Sequence, residues 1–103
     1  MVLSACQREL QRFPEEIRGD LADALARLDA GQSLAMPLSR PMPIIGVGVH
    51  ELRLKDRSGA YRVFYVLPGA GIVYVLHALQ KKTPTTSKSA LDLIRKRLKE
   101  LKL

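Results

Sequence analysis

The hydrophobic period of this chain changes twice, and those changes fix what it can fold into. Up to Leu28 the apolar residues recur at helical spacing, with Ile17, Leu21, Leu25 and Leu28 on one stripe. Beyond Gly48 the repeat shortens to two: Val49, Glu51, Arg53 and Lys55 alternate with His50, Leu52 and Leu54. From Leu91 the helical spacing returns through Ile94, Leu98 and Leu101. Repeats of 3.6 and 2 belong to helix and strand respectively. Helices, then strands, then a helix describe an α+β fold.

Punctuation residues supply the boundaries. Residues 4–12 favour a short helix, and Phe13-Pro14-Glu15-Glu16 reads as the start of a second, its acids suiting the positive end of the dipole. Gly31 is placed to end it. Residues 32–46 hold three prolines and read as an extended, irregular connection. Turns at Asp56–Gly59 and Pro68–Gly71 separate three strands, the last two running from Tyr61 to Leu67 and from Ile72 to Leu79. Short turns make neighbours antiparallel, so these strands form a three-stranded meander. Ser87 caps the C-terminal helix, whose apolar stripe needs a sheet or helix to pack on.

At 103 residues the chain is expected to be one domain, residues 1–103. No apolar stretch approaches the ~20 residues that span a bilayer, and the one cysteine, Cys6, forms no internal disulfide. Both point to a cytoplasmic protein away from the membrane. Leu3-Ser-Ala-Cys6 imitates a lipoprotein processing box but lacks the charged and apolar lead.

Charge is unevenly spread. Residues 81–103 carry eight bases (Lys81, Lys82, Lys88, Arg95, Lys96, Arg97, Lys99, Lys102) and two acids (Asp92, Glu100). The first 80 residues are nearly balanced, so the net charge of +7 is local. A local basic surface attracts a polyanion, and counterion release favours phosphate binding at low salt. Arg53 and Lys55, two apart on a strand, share a face; Arg62 lies on the paired strand, and Lys81 and Lys82 close the third. Five such cations on one rim would repel one another unless an anion joins them.

The remaining chemistry is sparse. One Cys and two distant His, His50 and His77, give no zinc spacing, and nucleophile motifs are absent. Gly46-Val-Gly48 is a flexible strand entry, since a strand rather than a helix follows. Both histidines read as structural: His77 lies in an apolar strand, and His50 faces the side of Leu52 and Leu54. Cations alone can promote phosphodiester cleavage in RNA, because the 2′-hydroxyl is a built-in nucleophile. Arg and Lys stabilise transition-state charge, and a lysine crowded by cations can exchange a proton near neutral pH.

Gly48-Val-His-Glu-Leu-Arg53, Ser58-Gly-Ala-Tyr-Arg-Val-Phe-Tyr65 and Val75-Leu-His-Ala-Leu-Gln-Lys-Lys-Thr83, with the upstream Phe13-Pro-Glu-Glu-Ile-Arg18, resemble the RelE/ParE toxin superfamily, in particular its HigB-like, phage-derived branch. The resemblance covers roughly residues 12 to 101. It implies the toxin of a type II toxin–antitoxin system, a metal-independent, ribosome-dependent mRNA endoribonuclease that inhibits translation and needs no cofactor. Implied partners are a helix-turn-helix antitoxin of the HigA or Xre type, the ribosome and mRNA. On the matching positions, Arg62, Lys82 and Lys81 serve the scissile phosphate and its transition state. Arg53 and Lys55 hold the RNA backbone or aid proton transfer, and Lys88, Arg95 and Lys99 touch ribosomal RNA.

Three departures from the pattern stand out. Only Met1-Val-Leu3 occupies the place of the usual first strand, which leaves a sheet edge open. Leu79 replaces an aromatic and Pro84 interrupts the Lys-rich tail. No Tyr follows Tyr74, so the general acid or base has no assigned residue. Two other functions fit the same resemblance: a ParE-like inhibitor of DNA gyrase, and an inactive relic that only binds its antitoxin.

Overall fold

Pro14 divides the N-terminal third into two helices. The computed structural model describes residues 4–69 and 72–102, with α1 at Ser4–Gln11 and α2 at Glu15–Asp29. The expectations for Met1–Leu3, and for the part of the second turn at residues 70 and 71, lie outside the described residues. Pro14 caps α2 in an extended conformation, φ −55° and ψ 151°, which its ring favours, and Glu15 and Glu16 fill the first turn. Ile17, Leu21, Ala24 and Leu28 are the buried stripe, with Leu25 half-buried beside it. The helix ends at a positive-φ glycine: Gly31 takes φ 84°, donates to the Leu28 carbonyl at 2.9 Å, and lets Gln32 donate to that of Arg27 at 3.0 Å. The pair satisfies carbonyls that a helix end leaves open.

The three expected strands are β2 (Val49–Asp56), β3 (Gly59–Gly69) and β4 (Ile72–Lys81), antiparallel in that order. A short strand from the proline-rich connection extends the meander to four: β1 (Ser39–Pro41) pairs antiparallel with β2, Ser39 opposite Leu52 and Arg40 opposite Glu51. Proline is tolerated there because an edge strand is paired on one side only. Ser39 is buried and its hydroxyl shares a hydrogen bond with that of Tyr65, 2.5 Å away, fixing the connection to the sheet.

Alternation along the strands sorts side chains into two layers. One sheet face carries Leu52, Leu54, Tyr61, Val63, Tyr65 and Val75 against α1, α2 and the link between them, including Cys6, Phe13 and Ile17. His50 sits on this side and stacks on Tyr65, ring centroids 5.2 Å apart. The other face carries Val49, Phe64, Val66 and Leu76 against Ile94 of α3 (Lys88–Glu100). Leu91, Leu98 and Leu101 flank Ile94, which is the helical stripe read from the sequence. Full burial of each such aliphatic or aromatic side chain stabilises the fold by about 1.5–3 kcal/mol. Ser87 caps α3, its hydroxyl accepting the Ala90 N–H at 3.1 Å.

β4 contains a bulge. Phe64 pairs with His77 but Tyr65 pairs with Val75, leaving Leu76 as the extra residue. The Leu76 carbonyl accepts from Arg97 Nη1 at 2.9 Å, and the Ala78 N–H donates to Glu9 Oε1 at 3.3 Å. Side chains from α1 and α3 thus cover this stretch of the edge strand.

Candidate functional site

α3 covers only part of its sheet face, and the uncovered rows are cationic. Arg40 of β1 lies opposite Glu51; Arg53 lies opposite Arg62; Lys55 and Lys81 both lie opposite Ala60. Because register positions two apart share a face, Arg40, Glu51, Arg53, Lys55, Arg62 and Lys81 form one surface. The structure therefore brings together four of the cations singled out in the sequence. It adds two residues that sequence reasoning missed, Arg40 and Glu51.

Glu51 organises this surface. It is only 3% exposed, and its Oε1 lies 3.5 Å from Arg40 Nη2, 3.8 Å from Arg62 Nε and 3.9 Å from Arg53 Nε. None of these separations is a short hydrogen bond, so one carboxylate is spread over three guanidinium groups. Arg62 is 7% exposed; its Nη1 donates to the Tyr61 carbonyl at 3.1 Å, while its buried Nε has no hydrogen-bond partner. A buried donor without an acceptor is costly and rare in a native fold. Burial pulls the Arg62 guanidinium below its ordinary pKa; Glu51 opposes this and the charges of Arg53 and Arg40 add to it.

Lys81 feels the same field. Desolvation lowers its ammonium pKa first, then the charge of Arg62; Glu51 opposes, and Arg53 and Arg40 add smaller lowering effects. Beside this row a cleft of about 380 Å³ opens between Arg53, Lys55 and Arg62 on the sheet and Pro37 and Leu38 of the connection. Three of its lining side chains are cationic, so the cleft suits an anionic group.

The other sequence candidates lie elsewhere. Lys82 follows β4 and lines a separate groove with Lys81, Thr83, Thr85 and Ser87. Lys88 opens α3 and pairs with Asp92 at 3.4 Å. Arg95 lies 3.6 Å from Asp92 and donates to the Ile44 carbonyl at 3.2 Å. Arg95 and Lys99 line a groove with Gly48 and Val66, at the far end of the sheet from Lys55 and Lys81.

His77 is part of the edge cover. Its Nδ1 lies 2.9 Å from Glu9 Oε2, and Arg97 grips the same carboxylate through Nη1 at 2.9 Å and Nη2 at 3.2 Å. Burial lowers the His77 pKa despite Glu9 beside it. Glu9 is held below the usual carboxylate range: burial pushes it up, but hydrogen bonds from Arg97 and His77 outweigh that. Among the described residues, no group of three or more His, Cys, Asp or Glu could hold a metal ion. No helix among them is long and apolar enough to cross a membrane.

No curated protein matches the chain. A family model described as Phage derived protein Gp49-like (DUF891) matches residues 8–99, nearly the whole chain and every strand of the cationic surface. The chain belongs to the Gp49-like family of phage-derived proteins.

Proposed function

We propose that this protein is the toxin of a toxin–antitoxin pair and that it cuts mRNA on the ribosome without a metal. The observation that carries this reading is the orphaned, buried Arg62 Nε within a row of cations on open sheet. Membership of a phage-derived family of toxin-like character supports it.

In this reading a phosphodiester sits over Arg62 and Arg53, where its non-bridging oxygens accept the hydrogen bonds those guanidinium groups lack. The RNA 2′-hydroxyl attacks the adjacent phosphorus in line. The bond to the 5′-oxygen breaks, a 2′,3′-cyclic phosphate forms, and the 2′-hydroxyl proton passes to solvent. Arg62 stabilises the charge on the equatorial oxygens. Lys81, its pKa lowered by burial and by neighbouring cations, gives a proton to the leaving 5′-oxygen. Lys55 and Arg40 hold flanking phosphates, and Lys82, in a groove apart from the cleft of Arg53 and Arg62, holds a flanking phosphate rather than the scissile one. Glu51 keeps the arginines together while the site is empty.

The partner in this reading is a helix-turn-helix antitoxin of the HigA or Xre type, and the site of action is the cytoplasm. The deciding experiment is expression of the chain alone, with growth and mRNA 5′ ends followed together. The expected result is growth arrest with new 5′ ends on ribosome-bound mRNA, both sharply reduced by Arg62→Ala. Arrest with intact mRNA and blocked DNA supercoiling would instead identify a gyrase inhibitor, and absence of arrest an inactive relic.

A further inference from the structure

Far from the cationic row, the segment between β1 and β2 presents two large aliphatic side chains to solvent: Ile44 is 72% and Val47 97% exposed. This tip is held in place. Ile45 between them is buried, its N–H donating to the Met42 carbonyl at 3.0 Å. The Ile44 carbonyl accepts from Arg95, and the Gly48 carbonyl accepts from Leu67 at 3.1 Å. Gly46 lies so close to α3 that a Cβ there would stand 2.6 Å from Leu98 Cδ2. Beside the tip is a groove of about 660 Å³ whose apolar lining includes Ile45, Leu67 and Leu98, with the exposed Val47 at its border. Lys99 and Lys102 stand on its rim, and neither makes an ion pair among the described residues.

An apolar groove with a polar rim and exposed aliphatic side chains beside it has the composition of a protein contact site. Its rim charge selects the occupant. A second copy of this chain would bring Arg95, Lys99 and Lys102 against their own counterparts. An RNA backbone would satisfy the lysines but gain nothing from Ile44 and Val47. We infer that this groove docks an acidic, aliphatic-bearing segment of a partner protein, its apolar side chains on Val47 and Leu98 and its carboxylates on Lys99 and Lys102. The inference does not depend on the chemistry of the cationic row, which lies at the opposite end of the sheet.

The test uses the full chain and two fluorescent peptides. One carries Leu at helical spacing with Glu elsewhere; the other has Lys for every Glu. Only the acidic peptide is expected to bind, and binding should weaken with salt. Val47→Glu and the double change Lys99→Glu, Lys102→Glu should each weaken it at least about tenfold. Arg62→Ala should leave peptide binding unchanged, and excess oligouridylate should not displace the peptide. Val47 is exposed, so circular dichroism should show its variant folded. The inference fails if no saturable binding occurs, if the basic peptide binds equally, or if Val47→Glu binds normally. It fails equally if oligouridylate competes for the site, or if the chain forms a dimer that Val47→Glu dissolves.

Discussion

The Glu51 carboxylate lies 3.8 Å from Arg62 Nε, close enough to attract it and too far to satisfy it. Arg40 and Arg53 draw on the same oxygen, at 3.5 and 3.9 Å. The site is therefore charged, partly compensated and still short of acceptors. Such a state favours an incoming oxyanion, and it makes each residue's contribution measurable.

In the proposed reaction, replacing Arg62 with Ala should slow cleavage sharply, because the guanidinium is the most deeply placed cation of the row. Loss of one preorganised oxyanion donor costs about 10²–10³ in kcat. Arg62→Lys should rescue little, since one ammonium cannot reproduce a planar fork. Single-turnover cleavage of ribosome-bound mRNA reads both, with circular dichroism showing that the fold persists.

Glu51→Gln should behave oppositely on stability and anion binding. Removing the buried carboxylate leaves three guanidinium groups facing one another, a loss of about 1–3 kcal/mol once the exposure of Arg40 and Arg53 is allowed for. Sulfate or phosphate should then raise the Tm of the variant more than that of the unchanged protein. Equal shifts for both would show that Glu51 does not hold the arginines in the empty site.

Acid should destabilise the fold in two stages of the same sign. His77 and His50 are both depressed by burial, so the folded state keeps them neutral while the unfolded chain protonates near its ordinary value of 6.5. Stability is complete above that pH and declines as pH falls toward the folded-state values. Glu9 is depressed below its usual 4.5, so its contribution is present above that value and is lost as pH falls through the folded-state value. Urea midpoints measured from pH 7.5 to 3 should show both declines, and His77→Gln should flatten the upper one.

Cys6 should be inert in the folded protein. It is fully buried, and burial with Glu9 nearby pushes its thiol up to about 12. Thiolate supply at pH 8 is then negligible. A disulfide reagent should leave Cys6 unmodified in buffer and react fully in denaturant.

Gly48→Ala should destabilise the sheet entry. Gly48 takes φ 78°, where a side chain is disfavoured, and a Cβ would lie 3.2 Å from the Leu67 carbonyl oxygen. The expected loss is about 1–2 kcal/mol, read from thermal unfolding.

Much of this architecture is legible in the sequence because its signals are local. The stripe of α2, the Gly31 stop, the alternation of β2 and the Ser87 cap each depend on neighbours within one or two turns. β1 is not legible: two of its flanking or included residues, Pro41 and Pro43, argue against a strand, and only pairing with β2 overrides them. The alternation of Arg53 and Lys55 put them on one face, and Glu51 is in the same alternation, so its place was readable though its role was not. Arg40 comes from the proline-rich connection, with no periodicity to point at the site. The grip of Arg97 on Glu9 joins positions 88 apart, a contact that no window of sequence contains.

That grip ties the beginning of the chain to its end at the only extra residue of the Phe64–His77 register shift. Trimming α1 would strip Ala78 of its side-chain partner and trimming α3 would strip Leu76 of its own, and either loss would leave a strand border ready to recruit another molecule. Shortened forms of this protein should therefore clump into strand-rich assemblies before they lose the rest of their shape.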